Sequence, residues 1–332
     1  ANLETNDAKR FGLYLRRLRE SRKLSLDAVE ELAAGYPDRI TKSHLSRIEN
    51  GLAEPTFRRM YALGQIYGAV DLVPVESVQV SGVSYKNLGD AGLDFLEQWA
   101  AEGARARVPA TLNPAGMDMI AWRELGFPER FAQRQQAVIA AYTALGITPT
   151  CTCTPYLIGH TPTPGQHVAW AESSAVSFAN SVLGARTNRE GGPSALAAAI
   201  TGRTARYGLH LDEERRATAI VEVRCPVNSR ADLGALGYLV GRQVSNGVPL
   251  FRFQQWDGDK VGREELNALG AAMAASGAVA LYHVQGVTPE AEKSPAVVAQ
   301  AETLTVDDLS PGYAALDSAR AEVDLVSLGC PH

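Results

Sequence analysis

The stretch DLVPVESVQVSGVSYKNLGDAGLDFLEQWAAEGARARVPATLN, residues 71–113, decides the fold class. Its first part, DLVPVESVQV, is rich in β-branched residues and predicts a strand. AGLDFLEQWAAEGA then has the apolar spacing of a helix, and RARVPATLN predicts a second strand. Strands that alternate with helices of 10–15 residues are typical of a layered α/β domain.

The same alternation continues toward the C-terminus. The predicted elements are a helix in PERFAQRQQAVIAAYTALG (128–146), a helix from about His167 to Leu183, a strand in TAIVEVRC (218–225), a helix in REELNALGAAMAASG (263–277), and strands in AVALYHVQG (278–286) and VDLVSLGC (323–330). The pattern therefore predicts one α/β domain over residues 69–332.

Residues 1–68 have a different, purely helical pattern that predicts a small all-α bundle. Ser25 can cap a helix that runs to Leu32, and Thr41 can cap a helix with Leu45 and Ile48 facing inward. A further helix after Pro55 is predicted to bury Phe57, Met60, Leu63 and Ile66.

TKSHLSRIENG, residues 41–51, resembles the recognition helix of the Xre/Cro-like helix-turn-helix family. The resemblance implies contacts with phosphates and base edges of duplex DNA by Lys42, Ser43, His44, Ser46 and Arg47. Leu26 departs from the family, which usually has a phosphate-contacting Gln there. The alternative is a structural bundle whose charged face is solvated.

Charge and composition limit the other classes. Residues 1–60 hold 12 Lys and Arg against 9 Asp and Glu, whereas residues 61–332 hold 20 against 28. Only residues 1–60, which carry a net positive charge, therefore favour binding to a polyanion. No secretory signal and no membrane-spanning run is visible, and four cysteines in 332 residues do not make a disulfide scaffold. A cytoplasmic protein is expected.

Two of the four cysteines, Cys151 and Cys153, stand one residue apart in TPTCTCTPYLIGH, residues 148–160. These two thiols are not expected to form a disulfide with each other, and Cys151 is expected to face away from Cys153. Four roles stay open for them: a zinc site, a redox thiol, a cluster ligand, or buried inert sulfur. The C-x-C spacing with His160 and His167 matches zinc sites poorly.

Polar groups are dense in HVAWAESSAVSFANSVLGARTNREGGPSALAAAITGR, residues 167–203. On a helix, Glu172, Ser173 and Asn180 would share one edge. A glycine-rich loop follows with Arg186, Asn188 and Arg189, and Pro193 opens a new helix. Two guanidinium groups beside a helix N-terminus indicate a carboxylate or phosphate site. The alternative is a structural turn whose arginines pair with Glu172 or Glu190.

This block, together with TCTPYLIGH, YGLHLDEER, GALGYLVG, ASGAVALYHVQGVTPEA and VDLVSLGCPH, resembles the large subunit of aconitase X over residues 60–332. The resemblance implies an aconitase-like α/β fold, an iron–sulfur cluster, and dehydration of a small anionic hydroxy acid. It also implies a small swivelling subunit or domain as partner. Known activities of the family act on mevalonate 5-phosphate and cis-3-hydroxy-L-proline, and TNREGGP favours the first.

The resemblance also implies roles for single residues. Cys153 and Cys330 would be cluster ligands, and their sulfur atoms would lie close together in the folded chain. The resemblance further implies that Arg186, Asn188 and Arg189 bind substrate, beside Glu172, Ser173 and Asn180 as polar site groups. A third family ligand would lie beyond residue 332, so the chain is expected to be a fragment with little activity. Gln79 stands where the family tends to carry His. The alternative is a DNA-binding regulator with a degenerate, metabolite-sensing aconitase X-like domain, or a chimera with neither function.

Overall fold

The structure is a computed structural model, and it describes residues 15–16, 19–20, 23–34, 40–50, 71–255, 262–292, 296–317 and 322. The chain divides into two compact units, one of residues 1–73 with 205–207 and one of residues 74–204 with 208–332. In the described ranges, no helix is long and apolar enough to cross a membrane.

The described helices are α1 (Leu26–Ala33), α2 (Lys42–Glu49), α3 (Tyr85–Ala101), α4 (Glu129–Ala144), α5 (Ser173–Ser181), α6 (Gly192–Thr201), α7 (Arg230–Val244), α8 (Arg263–Gly277) and α9 (Ser310–Leu316). The described strands are β1 (Leu72–Pro74), β2 (Val78–Val80), β3 (Ala110–Leu112), β4 (Ala169–Trp170), β5 (Arg203–Ala205), β6 (Ala217–Val223), β7 (Pro249–Phe253), β8 (His283–Val284) and β9 (Val297–Val306).

In the first unit, α1 and α2 begin at the caps that the sequence predicted. The Ser25 hydroxyl accepts from the N–H of Ala28 at 3.0 Å, and the Thr41 hydroxyl accepts from the N–H of His44 at 3.2 Å. The inward-facing residues of α2 are fully buried, and they pack in a small apolar cluster made of Leu15, Val29, Ala33, Ile40, Leu45 and Ile48. The predicted helix of Phe57 to Ile66 lies outside the described residues.

The second unit contains a parallel sheet in the order β3-β2-β4, in which Val78 is paired with Ala110 on one side and with Ala169 on the other. All three residues of β2 and of β3 are buried. Strands of parallel sheets are buried on both faces, which is why they read as apolar runs without alternation. Side chains of α3, α4 and α6 complete this core.

A larger parallel sheet of the same unit has the order β8-β7-β6-β9. The helices α7 and α8, each of which follows a strand of this sheet, pack on each other at very short range. A Cβ added at Gly277 would lie 1.9 Å from the carbonyl oxygen of Gly241, so only glycine permits this crossing. The α/β class predicted from the alternation is therefore confirmed.

Several predicted elements differ from the structure. The helix predicted from His167 is wrong over its first turn, because residues 169–170 form β4 and α5 begins only at Ser173. The N–H of Ala169 donates to Ser77 O at 3.0 Å, so pairing with the neighbouring strand overrides the local periodicity. DLVPVESVQV holds two short strands, β1 and β2, and AVALYHVQG pairs only at β8. The pattern missed α7, β7 and β9, and VDLVSLGC lies outside the described residues.

Candidate functional site

The three parallel strands β2, β3 and β4 end at one edge of their sheet, which we call the carboxyl edge. It consists of the segments that directly follow the strands, 81–84, 113–116 and 171–173. In open parallel sheets, ligands bind in the crevice outside these strand ends. The carboxyl edge is therefore the place where a small-molecule site is expected.

Three helices begin at the carboxyl edge. Ser84 caps α3, Glu172 caps α5, and α6 starts after Gly191. A Cβ added at Gly192 would lie 2.7 Å from the carbonyl oxygen of Ser81, so this glycine lets the first turn of α6 approach the segment after β2. Helix N-termini carry a partial positive charge that favours an anionic group. The Glu172 carboxylate already occupies the start of α5, and Gln135 and Ser84 accept from the first N–H groups of α3.

The buried amide of Gln135, on α4, braces two of these segments. Its Nε2 donates to Val83 O at 3.0 Å, and its Oε1 accepts from the N–H groups of Tyr85 at 2.9 Å and Gly116 at 3.2 Å. The side chain is completely buried, and each of its polar atoms is hydrogen bonded. The amide therefore holds the loops after β2 and β3 in fixed relation to the start of α3.

The carboxylate of Glu172 is the acidic centre of the edge. It accepts from Ser174 Oγ at 2.6 Å, from the N–H of Ala175 at 2.7 Å and from Ser173 Oγ at 3.2 Å. Its backbone is extended, so Glu172 is the cap of α5 and not a member of the predicted helical edge. Burial lowers the pKa of the Arg189 guanidinium, and the charge of Glu172 opposes that shift. Glu172, Ser173 and Arg189 thus lie in one neighbourhood.

Asn180, in contrast, is part of the scaffold. Its Nδ2 donates to two backbone carbonyl groups at 2.8 and 2.9 Å, and its Oδ1 accepts from the N–H of Thr187 at 3.0 Å and from Arg215 at 3.1 Å. The Oδ1 of Asn188 likewise accepts from the N–H of Leu209 at 2.9 Å. These amides hold the 187–188 turn to the buried Arg215 and to the 208–215 segment.

Arg186 also engages the 208–215 segment. Its guanidinium donates to the carbonyl oxygen of His210 at 3.1 Å and forms an ion pair with Asp212. The hydrogen bond and the charge of Arg186 lower the pKa of the Asp212 carboxyl. Arg186 pairs through its backbone with His167, which precedes β4, so it lies at the end of the strand opposite the carboxyl edge.

The cysteine segment reaches the carboxyl edge by running beside β3. The N–H of Thr148 donates to Ala110 O at 2.9 Å, and the N–H of Thr152 donates to Leu112 O at 3.2 Å. Because this pairing is parallel, the segment leaves β3 at the same end where the loop after β3 begins. Cys151 and Cys153 are thereby brought to the edge that carries Glu172.

Cys151 does not have an extended backbone, in which side chains two positions apart, such as those of Cys151 and Cys153, would lie on the same face. The φ of Cys151 is +49°, in the left-handed region that residues other than glycine rarely adopt. Burial raises the pKa of its thiol, and the N–H of Ala115, in the loop after β3, donates to the sulfur and opposes that shift. The Cys151 side chain therefore faces the loop after β3.

A metal or cluster site is not completed by the described residues. In that part of the chain, no three His, Cys, Asp or Glu side chains lie close enough together to hold a metal ion. Cys330, and with it the predicted convergence of Cys153 and Cys330, lies outside the described residues. Two thiols near one edge do not make the ligand set of a cluster.

The residues of α2 predicted to contact DNA lie on its outer side and share that surface with acids of α1. The Lys42 ammonium group is 2.7 Å from a carboxylate oxygen of Asp27, and Glu30 accepts from the N–H of Lys42 at 3.0 Å. The predicted contacts are exposed or partly exposed: Lys42, Ser43, His44, Ser46 and Arg47. Carboxylates on this surface oppose the approach of a phosphate backbone.

Sequence reasoning missed the residues that shape the carboxyl edge from β2 and β3. Ser81, Ser84 and Asn113 were not singled out, and neither was the bracing Gln135. A usable signal was present, since polar or glycine-containing tripeptides directly follow the apolar runs of both strands. If β2 and β3 had been predicted to be parallel neighbours, the segments that follow them would have been expected at one edge of the sheet.

Comparison with known proteins identifies the family. A model described as aconitase X first domain matches residues 41–213, and one described as aconitase X second domain matches residues 217–311. The first match begins inside the predicted helix-turn-helix segment, and the comparisons give the DNA-binding alternative no support.

Relatives of the chain are dehydratases. A phosphomevalonate dehydratase large subunit of Methanothermobacter thermautotrophicus is 53% identical over 88% of this chain and 74% of its own length. A cis-3-hydroxy-L-proline dehydratase of Pseudomonas aeruginosa is 38% identical over 84% of this chain and 49% of its own length.

A solved structure agrees with the fold. The crystal structure of Thermococcus kodakaraensis aconitase X in its holo form matches with a TM-score of 0.67 and 49% identity. The match covers 78% of this chain and 63% of that chain, so less than two thirds of that protein is represented. The fold, both domain models and these relatives agree, and the chain belongs to the aconitase X family.

Proposed function

We propose that this chain forms the substrate-binding part of an iron–sulfur hydro-lyase that dehydrates mevalonate 5-phosphate or a closely similar phosphorylated hydroxy acid. The observation that carries the proposal is the convergence of three helix N-termini, of α3, α5 and α6, on the strand ends that also bear Glu172 and the cysteine segment. The positive groups of this edge, the buried Arg189 guanidinium and the start of α6, suit an anionic ligand.

The choice of substrate class rests on two lines of support. The relatives at about half identity, 48–53%, are phosphomevalonate dehydratase large subunits, whereas the cis-3-hydroxy-L-proline dehydratases are 36–38% identical. A phosphorylated hydroxy acid carries a phosphate and a carboxylate, which Arg189 and the start of α6 can bind together. A hydroxyproline carries a cationic amine beside its single carboxylate and suits this edge less well.

The described residues would bind and orient this substrate. The start of α6 would hold an anionic end of the substrate, and Ser81 and Ser173 offer hydroxyl groups beside it. The Glu172 carboxylate would accept a hydrogen bond from a substrate hydroxyl group. Arg189 would add a positive charge that burial leaves weakly solvated.

Groups outside the described residues would complete the reaction. When an iron–sulfur cluster is bound through Cys153 and Cys330, it supplies the Lewis acid that assists departure of the hydroxyl group. A small partner subunit of the family would supply the remaining wall of the site, in keeping with the large-subunit name of the relatives. We assign no general base to the described residues.

The test is dehydration by this chain assembled with a family small subunit, anaerobically and with iron and sulfide. We expect loss of water from mevalonate 5-phosphate and none from cis-3-hydroxy-L-proline, followed by mass spectrometry. Glu172→Gln should lower kcat/KM by about 10- to 100-fold, the range of a hydrogen bond to a charged group. The matched control is Glu222→Gln, an acid of the second sheet that pairs with Arg252. Turnover of the hydroxyproline alone would refute the substrate class.

A further inference from the structure

Gln79 is the middle residue of β2, itself the central strand of the sheet that bears the carboxyl edge. Its side chain is completely buried. The amide Nε2 donates to the carbonyl oxygen of Thr152 at 3.1 Å, which joins residues 73 positions apart. Thr152 is the residue between the two cysteines.

This hydrogen bond acts directly on Cys153. The carbonyl group of Thr152 belongs to the same planar peptide unit as the nitrogen and Cα of Cys153, so holding its oxygen fixes the plane from which Cys153 departs. The N–H of Thr152 is held as well, by Leu112 O at 3.2 Å. Both backbone polar groups of Thr152 are therefore anchored, one by β2 and one by β3.

The segment needs such an anchor because its backbone is not relaxed. Cys151 has a φ of +49°, a conformation that is unfavourable for a residue with a Cβ. Two other bonds tie the start of the segment to β3 and to the loop after it: Thr150 Oγ1 donates to Leu112 O at 3.3 Å, and the Ala115 N–H donates to the Cys151 sulfur. Beyond Thr152, the Thr154 N–H donates to Thr152 Oγ1 at 3.1 Å, a local bond that does not tie this part of the loop to the sheet.

The core itself does not require an amide at residue 79. In the described part of the chain, the Oε1 of Gln79 and the Oγ1 of Thr111, its register partner on β3, have no hydrogen-bond partner. An unsatisfied buried oxygen destabilises a fold, and an apolar side chain of the same length would avoid it. Rotating the amide by 180° would bring two acceptor oxygens together, so the donor must face Thr152.

We infer that Gln79 is the positioning residue of the cysteine segment: its amide clamps the Thr152–Cys153 peptide to β2 and so sets where the Cys153 thiol stands at the carboxyl edge. A role of the Cys153 thiol as a cluster ligand rests on the proposed function, whereas the hydrogen bond between Gln79 and Thr152 does not. The residue that stands where the family tends to carry His therefore retains an N–H donor at that position.

The test measures thiol exposure in the full chain, without cluster or substrate. Iodoacetamide labelling of Cys153 is followed by mass spectrometry, with Cys225 in the same molecule as internal reference. Gln79→Met keeps the length and removes the donor, and Gln79→His keeps a donor. The matched control is Tyr282→Phe, which removes another fully buried side-chain donor to a backbone carbonyl group, that of Leu266 at 2.7 Å.

We expect Gln79→Met to raise the Cys153 to Cys225 rate ratio about fivefold, the effect of losing one hydrogen bond, and the other two variants to stay within about twofold. An unchanged ratio in Gln79→Met, or an equal rise in Tyr282→Phe, would overturn the inference. If Gln79→Met does not fold, Gln79→Asn, which withdraws the donor by one methylene, gives the same comparison. Failure here leaves the dehydratase proposal intact, and a failed dehydration assay leaves the labelling result intact.

Discussion

The stability of this chain should fall on mild acidification because of His210. The imidazole of His210 is 2% exposed, and its Nδ1 lies 2.8 Å from the Nδ1 of His167, so the two rings share one proton. Burial lowers the pKa of His210 to about 3, with further lowering by His167, Arg215 and Arg186. The folded protein therefore keeps this ring neutral across the range in which a free histidine titrates.

The sign of the effect follows from that order of pKa values. The folded pKa lies below the unfolded value of about 6.5, so acid protonates the unfolded chain first. The neutral His210 therefore makes its full contribution to the free energy of unfolding at pH values above the unfolded pKa. That contribution is lost as the pH falls from the unfolded pKa toward the folded pKa. Between pH 7 and pH 5, linkage gives a loss of about 2 kcal/mol in the free energy of unfolding.

Urea unfolding at pH 7, 6 and 5 measures this loss, with His210→Gln as the comparison. Glutamine keeps a hydrogen-bonding side chain but does not titrate, and the other buried histidine, His283, is present in both proteins. The wild-type chain should lose about 2 kcal/mol more than the variant between pH 7 and pH 5. Parallel pH dependences for the two proteins would refute the reasoning.

Two further predictions concern buried and exposed arginines. Arg215→Met should destabilise the fold by about 3–5 kcal/mol, because it leaves Glu290 and three backbone carbonyl groups without their buried guanidinium partner. Urea unfolding measures this loss, with the exposed Arg216→Met as the control. A loss of stability below about 1 kcal/mol would contradict the prediction. DNA binding through α2 stays a prediction: duplex affinity of the full chain should fall steeply with salt, and Arg47→Ala should weaken it by about 1–3 kcal/mol in fluorescence anisotropy, whereas affinity independent of salt would exclude this mode.

The sequence by itself determined the elements whose signals are local. The helices α4 and α8 and the strand β6 were predicted close to their observed bounds, and the start of α6 was predicted at Pro193. The caps Ser25 and Thr41 start their helices as expected, because capping depends on residues within one turn. Apolar periodicity over 10–15 residues was enough for these elements and for the α/β class.

Tertiary structure decided the elements whose partners are distant. Residues 169–170 became β4 because β2, about 90 residues earlier in sequence, supplies its hydrogen bonds. The helix α7 was missed because its glycines lower helix propensity, and α8 packs too closely against Gly237 and Gly241 to leave room for a Cβ there. Neither partner is visible within a local window of sequence.

The candidate site divides in the same way. Sequence singled out Glu172, Ser173 and Cys153, and the parallel sheet brings their segments to one edge. It also singled out Arg186, but the acid that neutralises it, Asp212, is set by folding. Gln79 alone carried no assignable role until Thr152 was placed beside it, because a side chain's polar partner is chosen by distance in space and local sequence carries no record of that distance.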